Sequence, residues 1–178
     1  MRPRPVSALV AVVALVGATV PSLLLAPTAE ADVVLDCSAG ALTIDQSTEV
    51  VHVTGSCSTV TVLGSNTTVM LPRTDRLVVR GSNNTLTAST VGTARIGGAN
   101  NTLTTGRLVS LRLVSSNSAV KVRSKGGKAL VRGSNNLLRS ARLDVLRIVG
   151  ANNTARVTKG PTKVRVRGAN NSVRVPRR

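Results

Sequence analysis

Seven carboxylates, one histidine and two cysteines are all the chain offers for acid–base, metal or redox chemistry in 178 residues. Cleavage of a glycan, or metal-assisted chemistry, needs carboxylates in pairs or clusters. Asp75 and Asp144 fall in one column of the repeat described below but four units apart, roughly 19 Å at strand spacing, so they cannot act as a pair. Asp45 and Glu49 flank one corner and read as solvated turn residues. His52, the only histidine, alternates with Val51 and Val53, so its ring should point outward, where a lone imidazole is ordinary surface. Serine and threonine abound, but none has a base beside it to activate it. Calcium-binding β-rolls repeat Asp in a Gly-Gly-x-Gly-x-Asp nonapeptide; Asn stands in the corners of this chain. No catalytic residue, cofactor, metal site or small-molecule ligand is therefore expected. The alternative is a surface enzyme acting on polysaccharide, working through Asp45 or Glu49.

Cations are what the chain has in abundance, with 24 Lys and Arg and a formal net charge of +17. They are distributed unevenly. Residues 32–72 carry Asp32, Asp36, Asp45 and Glu49 and no Lys or Arg, whereas residues 73–178 carry 22 Lys and Arg against Asp75 and Asp144. Such a surface attracts polyanions. Within the repeat, Arg95, Arg112, Arg147 and Arg165 lie three positions before the corner, and Lys121, Arg139, Arg156 and Arg174 lie six after it. Both columns alternate with apolar residues and should face solvent as rows of charge at roughly 5–10 Å spacing, suited to a phosphate or sulfate polymer. The competing reading is a solvated face that resists aggregation. There is no Phe, Trp or Tyr, so the base stacking of single-stranded nucleic-acid readers is missing; no specific nucleic acid is expected. Anionic envelope polymers or lipid head groups are the expected partners. Thr85, Thr87, Thr102 and Thr104 give the outward threonine pattern of an ice- or crystal-binding face on two units only, and cations replace them in later units.

The elements that position these groups follow from a repeat. Gly64-Ser65-Asn66-Thr67 returns as Gly81-Ser82-Asn83-Asn84, Gly98-Ala99-Asn100-Asn101, Ser115-Ser116-Asn117-Ser118, Gly133-Ser134-Asn135-Asn136, Gly150-Ala151-Asn152-Asn153 and Gly168-Ala169-Asn170-Asn171, in steps of 17 or 18 residues. Apolar columns stand four and two positions before the corner glycine, for example Leu77 with Val79 and Leu146 with Ile148, and others five and seven after it. An earlier copy centres on Gln46, flanked by Leu42, Ile44, Val51 and Val53. Alternation at period two marks strands with one buried face, and a Gly/Asn-rich break in every unit excludes a helical repeat. The expected fold is all-β: a right-handed parallel β-helix, or β-solenoid, of about eight 17–18-residue rungs, a rod roughly 35–40 Å long. Each rung holds two strands, a tight corner and a looser return. Gly and Asn suit the left-handed turn. The first corner asparagines, Asn66, Asn83, Asn100, Asn117, Asn135, Asn152 and Asn170, are expected to stack as a hydrogen-bonded ladder.

The chain opens with Arg2 and Arg4, an apolar run from Val6 to Ala26, and the small-x-small site Ala29-Glu30-Ala31. This reads as a secretory signal over residues 1–31, cleaved after Ala31; an uncleaved N-terminal membrane anchor is the alternative. Residues 32–178 then form one solenoid domain, with rungs from about 42 to 175, in a protein that is secreted or held in the cell envelope. In that compartment an even cysteine count favours one disulfide, Cys37 to Cys57, stapling the first rungs.

The phrase Gly81-Ser82-Asn83-Asn84-Thr85-Leu86-Thr87, its repetition, the export signal and the early cysteine resemble the exported actinobacterial proteins of the domain of unknown function 3060 family. The resemblance covers roughly Asp36 to Val175. It implies a β-helical fold and brings no activity, ligand or catalytic residue.

Overall fold

The computed structural model describes residues 32–176; the expected signal segment 1–31 and the terminal Arg177 and Arg178 lie outside the described residues. Twelve strands form one sheet: β1 (Asp32–Asp36), β2 (Ala41–Ile44), β3 (Val50–Thr54), β4 (Ser56–Val62), β5 (Thr68–Val79), β6 (Thr85–Ile96), β7 (Thr102–Val114), β8 (Ala119–Ser134), β9 (Leu137–Ala151), β10 (Thr154–Val157), β11 (Lys163–Arg167) and β12 (Ser172–Arg174). Every pairing is parallel, and each residue sits on its counterpart one repeat later, as in Leu86 on Leu103 on Val120 on Leu138. This is the stacked parallel β-solenoid of about eight turns that the repeat predicts.

The return is more regular than two strands and a loose link. Strands β5 to β9 run through it without a break, and Arg73, Thr90, Arg107, Lys125 and Arg142 pair in succession there. No Gly-Asn corner interrupts that segment, so the backbone bends while its ladder of hydrogen bonds continues. The longer steps are absorbed locally. One extra residue makes a bulge between Val122 and Lys125, which leaves Arg123, Ser124 and Lys125 all exposed.

The interior is narrow and filled by aliphatic side chains. Leu77, Leu86, Ile96, Leu103, Leu113 and Leu146 have no exposed surface, and the two columns before the corner line one wall while the columns after it line the next. Full burial of each Val, Leu or Ile contributes roughly 1.5–3 kcal/mol. Where a hydroxyl enters this core it finds a local carbonyl: Thr105 Oγ1 donates to Arg107 O at 3.0 Å and Ser140 Oγ to Arg142 O at 2.6 Å.

The corner differs from expectation in which asparagine bonds. Asn66, Asn83, Asn100, Asn117, Asn135, Asn152 and Asn170 all have φ between 54° and 59°, the left-handed turn for which Asn is suited. That backbone turns their side chains to solvent. Among the described residues, one side-chain bond links this column, Asn100 Nδ2 to Asn83 Oδ1 at 2.9 Å. The rung-to-rung ladder runs instead through the next column: Thr67, Asn84, Asn101, Ser118, Asn136, Asn153 and Asn171. These side chains enter the rod, where unpaired corner peptides would be costly. Asn84 Oδ1 accepts the Thr67 amide at 3.0 Å while its Nδ2 donates to Gly64 O at 2.9 Å. Asn101, Asn136, Asn153 and Asn171 repeat the arrangement.

The corner glycine is needed for contact between rungs. A Cβ at Gly81 would lie 1.8 Å from the Gly64 carbonyl oxygen, far inside any tolerable approach. At the N-terminal end Cys37 and Cys57 are joined, with Cα atoms 5.3 Å apart and both side chains buried. The Ser38 hydroxyl beside this bridge, with smaller help from the Ser38 and Cys37 amides and the Thr54 hydroxyl, holds the Asp36 carboxyl below the usual carboxylate range.

Candidate functional site

Parallel in-register stacking converts each outward column into a row with one side chain per rung, about 4.8 Å apart. Six positions after the corner, Lys121 pairs with Arg139, Arg139 with Arg156 and Arg156 with Arg174, so four cations follow one another without interruption. All four are exposed. Three positions before the corner the row is broken. Arg95 neighbours Arg112 and Arg147 neighbours Arg165, but Leu130 stands between the two pairs.

A second unbroken row lies on the return. Arg107 pairs with Lys125 and Lys125 with Arg142, and Lys159 follows, its amide bonded to Ala141 O at 2.8 Å. Sequence reasoning missed this row although its signal is present. Arg107, Arg142 and Lys159 each stand nine residues after the corner glycine, but the residue inserted at the bulge displaces Lys125 by one and breaks the column. The same insertion exposes Arg123 between the two rows.

Between the rows the surface dips. One depression of about 300 Å³ is lined by Lys121, Arg123, Arg139 and Arg156 with Ala141 and Thr158. The next, about 310 Å³, is lined by Arg107, Arg123, Lys125, Arg142 and Lys159, again with Ala141. Arg123 and Ala141 belong to both, so the two adjoin along one column: Arg123 rises between the cationic rows on one rung, and the small Ala141 and Thr158 follow it on the next two.

Carboxylates do little to neutralise it. Among the described residues the ion pairs are His52 with Asp32 at 3.1 Å and Arg73 with Asp75 at 3.7 Å, both exposed and both away from the groove. Such exposed pairs contribute less than about 1 kcal/mol. Asp144 lines a neighbouring depression with Arg107 and Lys125 without pairing to either. Asp75 and Asp144 are separated by four rungs, as the repeat requires. Among the described residues no three His, Cys, Asp or Glu side chains are grouped as metal ligands would be, and no helix is long and apolar enough to cross a membrane.

Residues 46–92 match the model of a family described as a protein of unknown function, DUF3060. The match spans the first corners of the solenoid, and the cationic rows begin beyond it. No curated protein and no solved structure matches the chain.

Proposed function

We propose that this protein is an exported, non-enzymatic element of the cell envelope or extracellular space that attaches to anionic polymers through its rows of cations. The observation that carries this reading is the uninterrupted row Lys121, Arg139, Arg156 and Arg174, exposed and free of carboxylate partners among the described residues. A disulfide is compatible with an extracellular location, and the leading segment has the pattern of an export signal. Rigid spacing matters as much as charge. Side chains fixed to a stacked sheet hold their register on a polymer without ordering a loop, which reduces the entropic cost of binding.

Attachment of this kind releases counterions, so it weakens steeply with salt. The test is retention of the purified protein on isolated cell-envelope polymers and on a neutral glycan across a salt series. Salt-sensitive retention on the anionic polymers alone, lost with the Arg139→Glu/Arg156→Glu variant, is the expected result. No retention at low salt, or equal retention on the neutral glycan, overturns the reading.

A further inference from the structure

We propose that the groove between the two cationic rows takes a densely charged, unbranched phosphate chain of the inorganic polyphosphate class, laid along the solenoid axis. The inference rests on the polyanion reading above and goes further, naming one groove and one ligand chemistry. Three observations carry it.

First, the charge is dense along one line. Arg107, Lys121, Arg123, Lys125, Arg139, Arg142, Arg156 and Lys159 occupy four successive rungs, a length of roughly 14 Å. That is an average of two cations per rung, with one beside Thr104 on the first rung and three on the next, which exceeds what a polymer with one anion per sugar or polyol unit can match. A chain of phosphates joined directly through P–O–P links has no spacer and can match it. Second, beyond Arg123 the floor is small: on the rungs of Arg139 with Arg142 and of Arg156 with Lys159, Ala141 and Thr158 lie between the walls. A bare phosphate chain can sink between the rows, whereas a chain of rings is held above them. Third, the chain has no Phe, Trp or Tyr to serve as a stacking platform for bases, so a nucleic acid gains chiefly from its phosphates here.

Rows at a fixed spacing predict a length dependence. Tripolyphosphate reaches part of the groove and should bind weakly; affinity per chain should rise until the four rungs are spanned and then level off. With about eight charges neutralised, the logarithm of affinity should fall with the logarithm of salt at a slope of about −5 or −6.

The experiment measures binding of long-chain inorganic polyphosphate to the purified protein, by titration at several salt concentrations. Three forms are compared with the unmodified chain: the groove triple K125E/R142E/K159E, the charge-matched triple R76E/R80E/K128E on other exposed positions, and A141F, which fills the floor without changing charge. Thermal melting checks that each form is folded. The groove triple is expected to lose at least about tenfold more affinity than the matched triple, and A141F about tenfold with its melting temperature retained. Equal loss in the two triples, or no loss in A141F, overturns the groove while leaving the broader attachment reading intact. Polygalacturonate, single-stranded DNA or anionic phospholipid vesicles bound as tightly as polyphosphate at equal charge overturn the phosphate-chain assignment. Failure of every polyanion to bind at low salt overturns both readings.

Discussion

Asn153 reaches back one rung to Gly133: its Nδ2 donates to the Gly133 carbonyl at 2.9 Å while its Oδ1 accepts the Asn136 amide at 3.0 Å. One carboxamide thus satisfies both ends of the corner beneath it. Neighbouring Asn152 does a different job, holding φ at 56° with its side chain in solvent. Asn152 and Asn153 are adjacent in sequence and of one residue type, yet they should respond to substitution differently.

Asn153→Ala leaves a buried donor and a buried acceptor unpaired, at about 1–3 kcal/mol each, so a loss of roughly 2–6 kcal/mol is expected. Asn152→Ala forces a Cβ residue without a local hydrogen bond into the left-handed region, at about 1–2 kcal/mol, and Asn152→Gly should be close to neutral. Urea unfolding midpoints of the three variants check the order. A midpoint for Asn153→Ala at or above that of Asn152→Ala would show that the inner column is not the ladder that holds the corners.

Gly81→Ala is expected to be among the most damaging small substitutions in the rod, as at the other corner glycines. Its Cβ meets the Gly64 carbonyl oxygen at 1.8 Å, so the two rungs must part, and the cost should exceed the roughly 1–3 kcal/mol of ordinary core overpacking. Gly160 provides the contrast. Its φ is +75°, but nothing lies within 4 Å of an added Cβ, so Gly160→Ala carries only the backbone term of about 1–2 kcal/mol. Folded yield and melting temperature of the two variants separate contact between rungs from turn conformation.

The architecture was legible because a solenoid writes its stacking into the sequence. Columns such as Leu77, Ala94, Leu111, Ala129 and Leu146 are apolar for the same reason at every turn, and each is buried. The cysteine pairing was legible from its count and its one-rung offset. Harder to read was the difference between the two corner asparagines, since both residues suit a left-handed turn and only the backbone decides which side chain enters the rod. The second cationic row was obscured by a single inserted residue: alignment on the glycine places Ser124, not Lys125, in register with Arg107 and Arg142. A bulge costs the fold little and costs the column its continuity.

Removing the Cys37–Cys57 bridge should loosen one end of the rod and leave the other intact. The bridged residues are 20 apart, and closing a loop of that size stabilises by about 3 kcal/mol through the unfolded chain. In a linear stack each rung touches only its neighbours, so the effect should decay along the axis. Amide exchange of the Cys37→Ser/Cys57→Ser variant is expected to rise in β1 to β4 and to stay unchanged in β7 to β9. A uniform rise across all strands would mean that the solenoid unfolds as one cooperative unit.

Leu130 offers a test in which function should be gained. It pairs with Arg112 on one side and Arg147 on the other, so it alone divides the outward row Arg95, Arg112, Arg147 and Arg165. Leu130→Arg joins the pairs into five consecutive cations. The residue is only partly buried, so the fold should lose less than about 1 kcal/mol, as expected of a surface change. If continuity of charge along the rod is what holds a polyanion, retention should strengthen several-fold at about 0.15 M salt and the salt slope should steepen by about one unit. A distant single addition, Thr61→Arg, adds the same charge to the same column without joining the pairs and should gain less. Equal gains from the two would assign attraction to net charge, and the register of the rows would carry no part of it.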